Sequence, residues 1–210
     1  SLLKWAAVSS AAPLVPAWAQ ASWPVKPVNM IVPFPAGGGT DAFARPLSAI
    51  FSKQTGKQLI IDNRGGAGGT LGAGIAAKAA PDGSVLDLAA ASHLIAKYLY
   101  DNLTYDPITA FAPAAYIGNA SYILMVPGDL PVNSVADFIN LVKASPGKYN
   151  YASAGNGSAT HLSMAYFAAS AGLNMEHIPT KSTGEAVTEV LSGRAQAVIA
   201  ANVAALGFKE

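Results

Sequence analysis

A glycine-rich segment near the start of the chain joins an apolar stretch, 28–32, to a helical pattern in which Phe43, Leu47 and Ile50 recur. The segment consists of Pro33, Phe34, Pro35, Ala36, Gly37, Gly38, Gly39, Thr40 and Asp41. Successive glycines allow a tight turn, and the first N–H groups of a helix carry partial positive charge. The pattern therefore predicts an α/β fold with an anion-binding loop, although a plain tight turn is the alternative.

Strand and helix patterns continue to alternate in the first half of the chain. Strands are predicted at 28–32, 59–63 and 85–90. Helices are predicted at 41–55, at 71–80 and, after the third strand, to Tyr100. A second glycine loop, 65–69, precedes the second helix, with Thr70 as its N-cap. Pro46 should make the first helix start late or kink, and Asp87 is expected at an edge or in solvent. The βαβαβα order predicts a parallel sheet.

The second half of the chain repeats this arrangement. Apolar runs at 112–117 and 122–126 predict strands that cross between two lobes, with a hinge near 118–121. Further elements are predicted as helices at 135–144 (N-cap Ser134), 162–171 and 185–191, and as strands at 149–152, 175–178 and 196–200. The new strand–helix loop consists of Ser153, Ala154, Gly155, Asn156, Gly157, Ser158, Ala159, Thr160 and His161. Two such loops, one in each lobe, predict a cleft for an anion.

The N-terminal residues have the layout of a secretory leader, predicted at 1–21. One basic residue precedes an apolar run, after which Ala17-x-Ala19 and Ala19-x-Ala21 both fit the small-residue cleavage pattern. Prolines interrupt this run too early for a membrane span. The remaining chain is predicted to form lobes at 22–120 and 121–210. Because only ten residues follow the last predicted strand, we expect the second lobe to be incomplete through a C-terminal truncation.

Composition limits the possible partners and chemistries. Lys and Arg number 13 against 12 Asp and Glu, so neither a nucleic acid nor an anionic membrane is expected as the main partner. The chain has no Cys, which excludes thiolate metal sites and cysteine nucleophiles. His93, His161 and His177 show no metal-ligand spacing, so no metal site is predicted. His161 is the best candidate for a site residue because it lies in a first helical turn beside a glycine loop.

A dinucleotide-dependent oxidoreductase is the main alternative function. The motif Gly37-x-Gly39-x-x-Ala42 satisfies the looser dinucleotide fingerprint, and Asp62 ends the second strand about 20 residues later. Other catalytic patterns are missing from the sequence. No Lys precedes Thr70, as a Walker loop requires, and there is no Gly-x-Ser-x-Gly elbow.

Six motifs, in this order, resemble one known family. They are Trp23-Pro24 to Asp41, Asp62-Asn63-Arg64 with Gly65 to Gly69, Ala80-Pro81-Asp82-Gly83, Tyr105-Asp106-Pro107, Phe111-Ala112-Pro113, and the run from Pro146 to Gly157. Together they cover the chain after the leader. The combination is similar to the Bug-type solute-binding receptors of tripartite tricarboxylate transporters.

This resemblance implies a periplasmic binding protein of the type II α/β fold, whose two lobes close on a small carboxylate. It implies no catalysis and no cofactor. The loop from Ser153 to His161 would hold the ligand carboxylate, while the loop from Pro35 to Asp41 closes from the first lobe and Ser92 adds a further contact. The implied partners are the small carboxylate and membrane transporter subunits, and a monomer is expected.

Departures from the family pattern bear on the ligand. Family members often carry Phe-Asp-Asn at the last strand, where this chain has Ile199-Ala200-Ala201. Without an acid at 200, the ammonium of an amino acid would lack an acceptor. We therefore expect a mono- or dicarboxylate as the ligand, held by N–H groups of the segment Gly155 to Ser158.

Overall fold

The computed structural model describes residues 23–204 as two α/β lobes. The predicted leader lies outside these residues. The first lobe contains β1 (Val28–Val32), α1 (Gly39–Thr55), β2 (Leu59–Asn63), α2 (Thr70–Ala76), β3 (Val85–Asp87) and α3 (Ser92–Leu99). The second lobe contains β4 (Tyr122–Met125), α4 (Val135–Ala144), β5 (Asn150–Ser153), α5 (Ala159–Ala171), β6 (Glu176–Pro179), α6 (Thr183–Leu191) and β7 (Val198–Ala201). The boundary predicted between 120 and 121 stays a prediction.

The first sheet has the strand order β2-β1-β3, and both pairings are parallel. This confirms the parallel sheet predicted from the alternating pattern. The central strand β1 is the most buried, with Val28 and Val32 almost without solvent contact and Ala44 of α1 packed against the same cluster. Burying a Val side chain stabilises the fold by about 1.5–3 kcal/mol. The strand that carries the first glycine loop is therefore firmly anchored.

The second sheet places β5 beside β6 in parallel, and β7 beside β4 in antiparallel orientation. A parallel bridge between Tyr151 and Ala197 joins the two pairs. One face is covered by an apolar cluster that includes Val187 of α6, and the other by a cluster that includes Phe138 of α4. The loop after β5 thus leaves a sheet that is buried on both faces.

Three local predictions were wrong. Helix α1 begins at Gly39 and continues through Pro46, whose missing N–H leaves only the exposed Ala42 carbonyl without its usual partner. Thr70 is the first residue of α2 and not its N-cap, because its Oγ1 donates back to the Ala67 carbonyl at 2.9 Å. The run 112–117 is exposed and pairs with no strand among residues 23–204, since only the next apolar run finds a partner, in β7.

The ends of the two sheets bring the glycine loops of both lobes together. A Cβ on Gly39, at the start of α1, would lie 3.4 Å from Cβ of Ala201 at the end of β7. Tyr100, directly after α3, donates a 2.9 Å hydrogen bond to the Asn156 carbonyl in the loop after β5. Of the helices described for residues 23–204, none combines the length and apolar character needed to span a membrane.

Candidate ligand-binding site

Asp41 fixes the shape of the first glycine loop. Its side chain is 1% exposed, and its Oδ2 accepts hydrogen bonds from the Gly37 N–H at 2.9 Å and from Nε of Arg45 at 2.7 Å. Its Oδ1 accepts from Nδ2 of Asn63 at 3.1 Å. Burial raises the pKa of Asp41, but the three hydrogen bonds outweigh it and hold the pKa below its usual value. Both carboxylate oxygens are therefore occupied inside the first lobe.

The start of α1 lies close to Ala201 of the second lobe and has N–H groups without intrahelical partners. Its N-cap, Gly38, has an extended backbone and no side-chain hydrogen bond to the helix. Within residues 23–204, the N–H groups of Gly39 and Thr40 have no acceptor. The unsatisfied N–H groups of a helix start favour an anion. The rest of the predicted first-lobe segment forms the turn, with Pro35 partly buried, Ala36 exposed and Gly37 at a φ of 81°.

The loop after β5 uses most of its own N–H groups. Ala154 donates to Oγ1 of Thr160 at 2.8 Å, Gly155 to Oγ of Ser153 at 3.1 Å, and Gly157 to Nδ1 of His161 at 3.2 Å. The Ser158 N–H donates to the Gly155 carbonyl at 3.2 Å. The prediction that the N–H groups of Gly155 to Ser158 face a ligand is therefore wrong for most of the segment, because side chains of the loop satisfy them first.

The remaining donors of this loop lie at the start of α5. Ser158 is its N-cap and accepts from the His161 N–H at 3.2 Å. In the part of the chain that the structure describes, the N–H groups of Asn156, Ala159 and Thr160 have no acceptor. The buried hydroxyls of Ser158 and Thr160 lie 2.9 Å apart and support the turn. A second helix start with free N–H groups thus follows the loop after β5, whose Asn156 carbonyl accepts a hydrogen bond from Tyr100 of the first lobe.

Three stacked rings lie beneath the second loop. The ring centroids of His161 and His177 are 4.2 Å apart, and those of Tyr151 and His177 are 4.9 Å apart. Burial, and then the charge that His161 would carry, lower the pKa of His177 to about 4, and burial also lowers the pKa of His161. Both imidazoles are therefore neutral at pH 7. Because Nδ1 of His161 accepts from Gly157, its proton is on Nε2.

Ser92 lies apart from the two facing loops. It is 2% exposed and, together with Phe34, Gly69, His93 and Tyr105, lines a cavity of about 10 Å³ in the first lobe. This volume is about that of a single water site. The structure therefore places Ser92 inside the first lobe, beside a small cavity.

Sequence reasoning missed three residues that shape the site. Asn63 could have been found as a polar residue at the end of the strand next to β1, where parallel strands bring their ends together. His177 is paired in register with Tyr151, and its Nε2 lies 2.6 Å from Oγ of Ser153. No sequence signal marks Tyr100, because its contact joins elements 56 residues apart.

The described residues do not support the alternative sites. The oxidoreductase hypothesis assigns ribose binding to Asp62. In the structure Asp62 forms an ion pair with Arg64 at 2.8 Å. Among residues 23–204 no group of three or more His, Cys, Asp or Glu side chains could hold a metal ion.

Comparison with known proteins identifies the family. Residues 43–208 match the model of the tripartite tricarboxylate transporter family receptor. The chain is 34% identical to Protein BugT of Bordetella pertussis over 184 residues, which are 87% of this chain and 55% of that protein. It is 32% identical over 178 residues to a UPF0065 protein from the tcbD-tcbE intergenic region of Pseudomonas sp. strain P51, covering 85% of this chain and 53% of that protein. The chain thus spans about half the length of these relatives.

Solved structures agree on the fold. The Rpa4515 protein of R. palustris with adipate has a TM-score of 0.84 and 32% identity, covering 89% of this chain and 62% of that chain. MatC of Rhodopseudomonas palustris with bound malate has a TM-score of 0.80 and 30% identity, covering 88% of this chain and 63% of that chain. The periplasmic binding protein BugD has a TM-score of 0.79 and 34% identity, covering 88% of this chain and 62% of that chain. These neighbours are solute-binding receptors and not enzymes. A receptor function is therefore supported in place of the oxidoreductase hypothesis. The chain belongs to the receptor family of the tripartite tricarboxylate transporters.

Proposed function

We propose that this protein is a periplasmic receptor that binds a small organic carboxylate between its lobes and delivers it to membrane subunits of a tripartite tricarboxylate-type transporter. The predicted N-terminal leader supports export. The solved relatives named with adipate and with malate support a carboxylate ligand.

One observation carries the proposal. Two helix starts, those of α1 in the first lobe and α5 in the second, have N–H groups without acceptors among residues 23–204, and each lies beside a contact with the other lobe. Each follows a strand and a glycine loop, and each is the positive end of its helix dipole. A dicarboxylate could place one carboxylate at each helix start. The residues proposed to line the ligand are Pro35, Ala36, Gly37, Gly38, Gly39, Thr40 and Asp41 in the first lobe, and Ser153 to Ser158, Thr160 and His161 in the second, with Ser92 inside the first lobe.

Backbone N–H groups are the expected donors to the ligand carboxylate, because the nearby cation, Arg45, is already paired with Asp41. The guanidinium of Arg45 donates to the buried carboxylate of Asp41 at 2.7 Å. The cleft therefore relies on oriented N–H dipoles, and a hydrogen bond to a charged group contributes about 1.5–3 kcal/mol. We infer binding of mono- or dicarboxylates in preference to tricarboxylates.

Isothermal titration calorimetry with adipate, malate and citrate tests this proposal. Adipamide, which has the length of adipate without its charge, is the matched control ligand. We expect binding of adipate or malate and none of adipamide. Absence of binding by all three carboxylates would contradict the proposal, and tight binding of citrate alone would contradict the preference for smaller ligands. Detection of the protein in the periplasmic fraction of its source cell tests export.

A further inference from the structure

The lobes also touch beside the cleft, at a contact that we call the Tyr100 junction. It consists of Gly68 and Tyr100 from the first lobe and Asn156 and Gly157 from the second. The Tyr100 hydroxyl donates to the Asn156 carbonyl at 2.9 Å, and Tyr100 is partly buried there. Asn156 lies in the loop whose end forms the N-cap of α5, so the junction touches the proposed carboxylate loop directly.

Gly68 allows this close approach. Its φ is 65°, and a Cβ at this position would lie 2.7 Å from the Asn156 carbonyl oxygen and 2.9 Å from the Tyr100 hydroxyl oxygen. The first of these neighbours is backbone, which cannot rotate away as a side chain could. The second glycine loop of the sequence, 65–69, therefore has an interlobe role in this structure.

Gly157 completes the contact from the other side. It is buried with a φ of 74°, and a Cβ there would lie 3.1 Å from the Tyr100 hydroxyl oxygen and 3.2 Å from Cδ1 of Leu99. The C-terminal end of α3 thus packs against the turn that leads into α5. Each lobe thus contributes one glycine to the contact, Gly68 from the first lobe and Gly157 from the second, and at each of them the loop backbone contacts the other lobe.

We infer that Tyr100 is a positioning residue that holds the second-lobe loop against the first lobe and favours the closed arrangement of the lobes. The inference rests on the proposed function for its link to carboxylate affinity. A contact made only when the lobes are together shifts the population toward the closed form, and a ligand that needs this form then binds more tightly. Tyr100 does so without touching the ligand.

Tyr100→Phe removes the hydroxyl and keeps the ring, so it tests the hydrogen bond. The matched control is Tyr98→Phe, because Tyr98 lies on the same helix and is 82% exposed. Since the chain has no Cys, spin labels at Lys53→Cys and Ser170→Cys report the distance between the lobes without ligand. We expect Tyr100→Phe to shift this distance distribution to longer values and to weaken adipate binding about three- to tenfold, while Tyr98→Phe changes neither.

Gly68→Ala tests the close approach. Gly56→Ala is the matched control, because Gly56 has nearly the same φ, 67°, and nothing within 4 Å of its added Cβ. Both variants strain the backbone, but only the first introduces an atom into the junction. We expect Gly68→Ala to open the lobes and to weaken adipate binding at least tenfold, and Gly56→Ala only to lower the melting temperature.

The two readouts separate failure of the inference from failure of the proposed function. If Tyr100→Phe and Gly68→Ala leave the spin-label distances of the unliganded protein unchanged, the inference is overturned, whatever the ligand. If the distances lengthen but adipate affinity is unchanged, Tyr100 is not a positioning residue for the site. If adipate and malate do not bind the unmodified protein, the proposed function fails, and the distance measurement still decides whether the junction closes the lobes.

Discussion

Asp41 and Asn63 are joined by a 3.1 Å hydrogen bond although they are 22 residues apart in the chain. The same Asn63 amide donates to the Phe34 carbonyl at 3.0 Å. Because Asn63 ends β2 and Phe34 follows β1, the bonds tie together two loops at the ends of neighbouring parallel strands. The first glycine loop therefore has its shape before a ligand arrives, which reduces the cost of ordering it on binding.

We predict that Asp41→Asn lowers the free energy of unfolding by about 2 kcal/mol at pH 7, because it removes hydrogen bonds to a charged group. The folded pKa of Asp41 lies below its unfolded value, so the charge stabilises the fold above about pH 4 and this contribution is lost as pH falls through the folded pKa. Urea denaturation should therefore show that the difference between Asp41→Asn and the unmodified protein shrinks as pH falls below 4.

Asp101→Asn is the control for this variant, since Asp101 is exposed. It should leave the free energy of unfolding unchanged within about 0.5 kcal/mol. Equal stability of Asp41→Asn and the unmodified protein at pH 7 would show that Asp41 does not hold the loop.

Features that depend on local sequence were predictable. Ser134 was predicted as the N-cap of α4, and its Oγ accepts from the Asp137 N–H at 3.1 Å, because the capping residues are only three apart. Strands β1 and β2 were predicted with their observed bounds, since each is a short run rich in β-branched residues that ends at or next to a proline or glycine turn.

Features that depend on tertiary contacts were not predictable. The loop N–H groups were expected to be free, but the side chains of Ser153, Thr160 and His161 accept hydrogen bonds from them. The spacing of these residues in the sequence does not determine which rotamer each side chain adopts. Asp87 was expected at an edge or in solvent, and β3 is indeed an edge strand of the described sheet, yet the side chain is only 4% exposed because the segment carrying His93 covers it. Its burial depends on where the later segment with His93 packs, and the sequence pattern of β3 alone does not predict this packing.

The second prediction concerns the N–H donors of α5. Ala159 is the first residue of this helix, a position that accepts proline, and its N-cap Ser158 has the extended backbone that a following proline prefers. Ala159→Pro should therefore remove one N–H without unfolding the helix. We expect adipate affinity to fall at least tenfold in calorimetry, because a hydrogen bond to a charged group is lost.

Val135→Pro is the matched control for Ala159→Pro. Val135 is also the first residue of a helix, α4, after a serine N-cap, and it is 52% exposed. It should leave adipate affinity unchanged. An Ala159→Pro protein with normal melting temperature and normal affinity would exclude this N–H group as a ligand contact.

The third prediction compares malate with aspartate, which differ in a hydroxyl and an ammonium group. Both oxygens of Asp41 already accept hydrogen bonds within the first lobe and the residue is 1% exposed, so it is poorly accessible to an ammonium. Ala200 lies in the apolar core of the second lobe, and an acid placed there would be buried away from the cleft. We therefore expect aspartate to bind at least tenfold more weakly than malate, because its ammonium would lose water without gaining a partner. Stronger binding of aspartate would contradict this account of the cleft.

The fourth prediction concerns Asp87. Burial raises its pKa to about 6, partly offset by nearby His93, whose Nδ1 lies 3.7 Å from Oδ2. A raised pKa means that the folded state holds the proton more tightly, so this contribution to stability is lost as pH rises from about 4 to about 6. Asp87→Asn removes the titration. Urea denaturation should show the stability of Asp87→Asn relative to the unmodified protein increasing over this range. A constant difference between the two proteins from pH 4 to pH 6 would contradict the burial of this carboxyl.

The last prediction concerns His177, whose titration acts in the opposite direction. Its pKa is about 4 in the folded protein and about 6.5 when unfolded, so the unfolded state binds more protons between these values. Stability from this group therefore falls as pH drops from 6.5 to 4. His177→Gln keeps a partner for the Ser153 hydroxyl but cannot be protonated, so the stability advantage of the unmodified protein should shrink over this range. A second variant, His161→Gln, removes the neighbour whose charge lowers the pKa of His177. The folded pKa of His177, measured from its imidazole NMR signals, should therefore rise toward the unfolded value, and stability should depend on pH over a smaller range. A constant difference between His177→Gln and the unmodified protein from pH 7 to pH 4.5 would mean that His177 is not held neutral by the ring stack.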